Sequence, residues 1–208
     1  MQTKFKTPQE EFWAGNFGDD YSDRNVGEAW IASNVALFSR ILSKCDNVKS
    51  VIEFGANIGL NLRALRTLLP ASQLSAIEIN ATAAKQLSEW GQLSDLYHQS
   101  ILDFSSDKSW DMALIKGVLI HINPEQLPGV YEALYRASRR YIVVAEYYNP
   151  SPVEVNYRGH AGRLFKRDFA GELLEKYPDL HLVDYGFVWR RDPLFPQDDC
   201  TWFLLEKR

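Results

Sequence analysis

A chain of 208 residues, 46% of them hydrophobic, is long enough for one domain with a substantial core and too short for a second full domain. Its formal net charge of −4 gives no general attraction to a polyphosphate backbone, and the basic pairs Arg139-Arg140 and Arg190-Arg191 are too short for a phosphate-binding stripe, so nucleic acid is not expected as a partner. Two widely separated cysteines, Cys45 and Cys200, with no Cys-x-x-Cys and no clustered histidines, indicate neither a disulfide framework nor a metal site.

In chain order, the first residues lack the apolar core of a signal peptide, and no later stretch approaches the roughly 20 apolar residues of a membrane-spanning helix; the sequence predicts a soluble cytoplasmic protein. Residues 1–47 read as a cap. An aromatic, glycine-punctuated loop around Phe12 to Asn25 precedes an amphipathic helix over 27–44. From residue 48 strands alternate with helices. Strands are expected at Lys49–Phe54, Leu74–Ile79, Leu96–Gln99, Asp111–Lys116 and Tyr141–Tyr147. One helix carries Leu60, Ala64, Leu65 and Leu68 before Pro70 stops it, a second runs from Ala81 to Trp90 with Gly91 as its cap, and a third begins near Pro124. A long insertion follows the fifth strand. Two more strands, Leu180–Val188 and Cys200–Leu205, form a hairpin-like ending. Such alternation predicts an α/β fold, a mainly parallel seven-stranded sheet with helices on both faces, in one domain of 1–208 whose core is 48–208.

The most informative stretch is Glu53-x-Gly55-x-Asn57-x-Gly59, where a buried strand enters a loop and then a helix. Gly55 allows a sharp turn, Gly59 close packing, and the helix N-terminus offers unpaired amides to a polar ligand. The alternative is a tight strand-to-helix turn with no ligand. At the tip of the second strand, Glu78 is placed to accept both ribose hydroxyls of an adenosine. These features resemble the cofactor-binding half of the class I S-adenosylmethionine-dependent methyltransferases, which have a Rossmann-like sheet, rather than the Gly-x-Gly-x-x-Gly of dinucleotide binders. The run from Tyr97 to Asp103 and Phe104 matches the family's adenine-contacting segment, and Trp110 to Asn123 its fourth strand.

The resemblance implies S-adenosylmethionine as cofactor, held by Glu53, Gly55, Asn57, Gly59, Glu78, Ile79, Asp103, Phe104, Lys116 and Gly117, with Tyr21, Arg24 and Asn25 folding over it from the cap. Methyl transfer expels a neutral thioether, so the protein's main task is alignment; a hydroxyl acceptor also needs a base, for which His121 and His160 are the candidates. The duller role for His121 is a bond to the Asn123-Pro124 turn. Glu146 and Tyr148 at the sheet's carboxyl edge, with Tyr157, Arg158 and Arg163 of the insertion, are candidate substrate ligands; the arginines suit an anionic acceptor or internal pairing with Asp168.

Across nearly the full length, Thr7 to Trp13, Phe17 to Asn25, Tyr157 to His160, Leu164 to Phe169 and Phe195 to Phe203 resemble the pseudaminic acid biosynthesis-associated methyltransferases. That implies a small-molecule acceptor, a sugar or sugar-nucleotide of a surface-glycan pathway. Alternatives are a nucleotide- or RNA-modifying methyltransferase and a non-catalytic cofactor-binding scaffold.

Overall fold

Ser50–Phe54 is buried at every position and forms β1, an interior strand of the sheet. A computed structural model, which describes residues 5–24 and 27–208, covers this strand on both faces, so it reads as mainly apolar rather than alternating, with Ser50 and Glu53 as its buried polar exceptions. It is flanked by β2 (Gln73–Glu78) and β4 (Trp110–Lys116), with β3 (Asp95–His98) beyond β2, and β5 (Ser138–Glu146), β9 (Cys200–Lys207) and β8 (Leu180–Val188) beyond β4. The order is β3-β2-β1-β4-β5-β9-β8. Every pairing is parallel except those of β9, which runs antiparallel to both neighbours.

Alternate residues of each strand feed two cores. Ile52, Phe54, Ile115 and Val144 pack under α6 (Leu127–Ala137) and α7 (Phe169–Lys176), through Val130, Leu134, Phe169 and Leu173. Val51, Leu74, Leu114, Val143 and Trp202 pack under α3 (Glu28–Leu42), α4 (Leu60–Leu68) and α5 (Ala81–Trp90), through Phe38, Ile41, Leu65 and Leu87. No helix among the described residues is long and apolar enough to cross a membrane.

Three segments differ from expectation. The N-terminal aromatic stretch is helical: α1 (Pro8–Ala14) and α2 (Asn16–Arg24) meet at Gly15. Thr7 and Glu10 form a reciprocal capping box and Pro8 occupies the first turn, a start signal hidden among the aromatics. Instead of a loop, the long insertion is a hairpin, β6 (Val153–Tyr157) and β7 (His160–Lys166), whose turn residues Arg158 and Gly159 both have positive φ, 51° and 86°. That is the backbone hand a two-residue hairpin needs. Helix α7 was not anticipated; Asp168 caps it by accepting from the Gly171 amide at 2.9 Å.

At the opposite end of the sheet from these segments, Asp111 ties the starts of β1 and β4 together. Its Oδ2 accepts from the amides of Lys49 and Ser50 at 2.8 and 3.0 Å, while Oδ1 meets Arg139 at 2.9 Å. Asp111→Ala should cost about 1–3 kcal/mol, because two strand-entry amides lose their acceptor. Urea denaturation should show a lower midpoint with an unchanged slope.

Candidate functional site

The chain leaves β1 through a loop that only small or left-handed residues can make. Gly55, Asn57 and Gly59 have φ of 73°, 49° and 82°. A Cβ on Gly55 would sit 2.7 Å from Val118 Cγ2, and one on Gly59 would sit 2.6 Å from Leu87 Cδ2 on α5. The glycines therefore serve close packing on both sides of the loop. Glu78, at the tip of β2, holds its crest: one carboxylate oxygen accepts from the Asn57 amide at 2.6 Å and the other from the Asn80 amide at 2.7 Å. Burial raises the pKa of Glu78 even against these amides.

Above this loop lies a cavity of about 430 Å³ at the carboxyl ends of β1, β2 and β4, where open α/β sheets collect ligands. Gly55 to Ile58, Asn61, Glu78 to Asn80 and Ser100 to Leu102 form its floor, and Lys116 to Val118 with Ile120 and His121 one side. Helices α1 and α2 roof it. Ser22 donates to Asn57 Oδ1 at 2.6 Å, Asn80 donates to Asp19 Oδ1 at 3.0 Å, and Ser100 donates to the Glu10 carboxylate. Gln9 reaches the hairpin, donating to the Gly162 carbonyl at 2.9 Å. The roof is thus bonded to three loops of the cavity floor and to the insertion.

His121 sits where these parts meet. Its Nδ1 lies 2.6 Å from the Arg163 carbonyl, and since a carbonyl only accepts, that nitrogen carries the proton and Nε2 is the free lone pair. Burial pushes the ring's pKa down to about 4, against the opposite pull of the Arg163 carbonyl, so the imidazole is neutral at physiological pH. Its ring packs 4.6 Å from Trp13 and 4.9 Å from Tyr157. The alternative bond to the Asn123-Pro124 turn is not formed; this one to the hairpin stands in its place.

Of the residues singled out from sequence, Tyr21, Gly55, Asn57, Glu78, Ile79, Lys116, Gly117, His121, Tyr157 and Arg158 line the cavity. The others stand off it for identifiable reasons. Gly59 lies beneath the loop against Leu87. Glu53 is wholly buried behind the wall, accepting from Asn61 Nδ2 at 2.6 Å, and Asn61 is the residue that faces the cavity. Asp103 turns outward to Lys6, and Phe104 packs edge-on against Phe54 in the core, so the wall at this position is Ser100 to Leu102. Arg24 lies over the Phe17 ring at 5.6 Å. His160 packs on Phe12 and Phe17 outside the cavity. Arg163 stacks over Phe12 at 5.0 Å and contributes its carbonyl rather than its charge. Tyr148 is exposed near Phe203. Glu146 accepts from the Val118 and Leu119 amides at 2.9 Å each, which makes it the anchor of the His121 turn rather than a wall residue. Asn25 lies outside the described residues.

Sequence reasoning missed Trp13, Trp30, Asn34, Tyr147 and Asp198, all in the wall. Asn34 carried a usable signal: a polar side chain on the apolar face of α3, one turn before Phe38. Its Oδ1 and the Trp13 Nε1 are buried without a partner among the described residues. Asp198 lies in an irregular segment before β9 and had no signal at all.

No protein-family model matches the chain, and no curated protein matches it in sequence. Solved structures do match its fold. The 1,6-didemethyltoxoflavin-N1-methyltransferase of Burkholderia thailandensis, with bound 1,6-didemethyltoxoflavin and S-adenosylhomocysteine, superposes with a TM-score of 0.69 at 19% identity, over 100% of this chain and 93% of that one. The plantazolicin methyltransferase BpumL in complex with S-adenosylhomocysteine gives 0.67 at 14%, over 96% and 94%. The magnesium protoporphyrin IX methyltransferase of Synechocystis PCC 6803 with bound S-adenosylmethionine gives 0.65 at 11%, over 99% and 100%. At such identities the likeness establishes the architecture, that of the class I methyltransferases.

The electrostatics of the wall make one prediction independent of any ligand. Burial raises Glu53 to about 8, against the lowering contributions of Asn61 and Lys116. A carboxyl raised in the folded state contributes stability that is complete below its unfolded pKa and is lost as pH rises through about 8. Glu53→Gln keeps an acceptor for Asn61 and cannot ionise. Its stability relative to the parent should therefore climb by on the order of 1 kcal/mol per pH unit between pH 5 and 8, measured by chemical denaturation at each pH.

Proposed function

We propose that this chain is an S-adenosylmethionine-dependent methyltransferase, working as one catalytic unit with residues 1–47 as its cap. The single observation that carries the reading is the position of Glu78: an acidic side chain at the tip of β2, fixed to the crest of a glycine loop and lining a roofed cavity. The wall suits the cofactor on its own chemistry. Beyond the amides of Asn57, Asn80 and Ile79 the Glu78 carboxylate keeps a lone pair for a ribose hydroxyl. Asn34 Oδ1 is a buried acceptor lacking a donor, as an ammonium would supply, and Ser100 to Leu102 border the adenine end. Gly117, at φ 68° with no atom within 4 Å of a built Cβ, leaves room beside the fourth strand.

When bound, the cofactor supplies an electrophilic methyl on a sulfonium that departs as a neutral thioether. The chain's own part is to position, to exclude water and to move one proton. His121 Nε2 takes the proton of an attacking hydroxyl while Nδ1–H stays on the Arg163 carbonyl, which keeps the ring in the accepting tautomer. Glu146 fixes the turn that carries His121. Trp13 and the α1–α2 roof close the cavity over the reacting atoms. Arg158 is the cation available to the acceptor, since Arg163 is engaged with Phe12.

For the acceptor we propose a small polar metabolite, a sugar or sugar-nucleotide of a surface-glycan pathway. Support comes from the sequence resemblance of residues 7–25, 157–169 and 195–203 and from the hydroxyl-rich wall of Tyr21, Tyr147 and Tyr157. The acceptors named for the structural neighbours, 1,6-didemethyltoxoflavin and magnesium protoporphyrin IX, are not sugars.

Calorimetry should find S-adenosylhomocysteine bound and NAD not bound. Glu78→Ala should weaken that binding roughly tenfold to hundredfold, from loss of an acceptor worth about 1–3 kcal/mol. Unchanged affinity would remove Glu78 from the site. Transfer of labelled methyl to a panel of sugar nucleotides, nucleotides and RNA separates catalysis from passive binding. His121→Ala should then lower kcat by about 100-fold if the acceptor is a hydroxyl. By NMR, the His121 ring should stay neutral, protonated on Nδ1, down to about pH 4; a midpoint near the ordinary 6.5 would contradict a buried neutral base.

A further inference from the structure

Two charges of opposite sign remain in the cavity after the cofactor-side groups are accounted for. Glu78 and Glu10 already accept hydrogen bonds from loop amides and from Ser100, and Lys116 acts on the raised carboxyls of Glu53 and Glu146. Arg158, at the tip of the β6–β7 hairpin, and Asp198, in the segment entering β9, both line the same cavity. They do not neutralise each other. Neither forms an ion pair within 4 Å with any described residue.

Each charge is instead steadied by an aromatic neighbour. The Arg158 guanidinium lies 5.9 Å from the Tyr157 ring centroid. The Asp198 carboxylate sits near Tyr147, where its charge adds to burial in raising that hydroxyl's pKa. Arg158 holds a left-handed backbone at φ 51°, a conformation that a bare turn would assign to Asn or Gly. Two solvated, unpaired charges facing one cavity match a ligand that carries the complementary pair, since each then meets its counter-ion without first breaking an internal salt bridge.

We infer that the acceptor is a zwitterion, a small polyhydroxylated molecule with an anionic group for Arg158 and an ammonium for Asp198. This rests on the methyltransferase reading and narrows its acceptor. The guanidinium grips a carboxylate or phosphate with two parallel hydrogen bonds. Asp198 offers the ammonium a carboxylate beside Tyr147 in the same wall. Neither residue takes part in bond making; they set which molecule is presented to His121.

The test uses the full chain in calorimetric titrations with five sugars: glucosamine 6-phosphate and 2-amino-2-deoxygluconate as zwitterions, glucose 6-phosphate, glucosamine and glucose as controls. Both zwitterions, or the one whose anion fits, should bind at least threefold to tenfold more tightly than any control, the range expected for exposed charge contacts. Arg158→Gln should reduce the preferred zwitterion to the level of glucosamine while leaving glucosamine itself unchanged. Asp198→Asn should reduce it to the level of glucose 6-phosphate. Thermal melts confirm that both surface variants stay folded. Equal binding of all five sugars, or of none, overturns the inference. Titrations run with and without S-adenosylhomocysteine keep the two readings apart: failure of the nucleoside to bind counts against the methyltransferase assignment, while the charge dependence of the sugars still decides the acceptor subsite.

Discussion

The clamp of Glu78 on the amides of Asn57 and Asn80 is the interaction on which the rest of this site depends. Of the three left-handed residues in this short loop, Gly55 and Gly59 take that conformation freely, and Asn57 alone carries a steric cost. A buried carboxylate that takes one amide from the loop crest and one from the start of α5 converts that cost into a fixed shape. It also joins the first and second strands at the point where the sheet opens. Because these acceptor bonds go to backbone, neither Asn57 nor Asn80 spends its side chain on them. Both side chains are free to reach upward, and both do, to Ser22 and Asp19 of the roof.

From that clamp the roof follows. Helices of seven and nine residues are too short to be stable alone, so α1 and α2 exist because they dock. The capping box at Thr7 and Glu10 orients the chain, and the second Glu10 oxygen is left for Ser100. Phe12, Trp13 and Phe17 then interleave with His160 of the hairpin and with His121 and Tyr157 of the cavity wall. The aromatic density of residues 12–21 is therefore packing between a roof and an insertion, and only Trp13 and Tyr21 from it reach the cavity.

What the sequence disclosed and what it withheld divide along physical lines. Strand positions, the glycine loop and the Glu78 position were legible because burial on both sheet faces and positive φ each leave a composition that few alternatives share. The pair β8 and β9 was legible as a hairpin-like ending, while the order of strands in the sheet was not. The hairpin over 153–166 was missed although Val153, Val155 and Tyr157 alternate with Glu154 and Asn156, a period of two over one short strand next to the irregular run His160-Ala-Gly-Arg163. The residues that stand off the cavity do so in a patterned way. Phe104 and Glu53 turn into the core or behind the wall, Glu146 caps backbone amides, and Asp103 turns outward to Lys6, while neighbours take the wall. Position along a strand is encoded locally; the direction of a side chain at its end depends on what packs over it.

The same distinction explains why His121 is a base candidate while His160 is not, although both are histidines beside the cavity's aromatics. His121 follows a turn whose amides are held by Glu146, so its ring has a fixed partner in the Arg163 carbonyl and one nitrogen left over. Burial in that position keeps it neutral. His160 sits at the start of β7, exposed, with ring contacts alone. The insertion thus reaches His121 through a main-chain carbonyl, a contact that no side-chain substitution at Arg163 removes. Changes of hairpin side chains can therefore alter the cavity wall at Arg158 while the His121 ring keeps its main-chain partner.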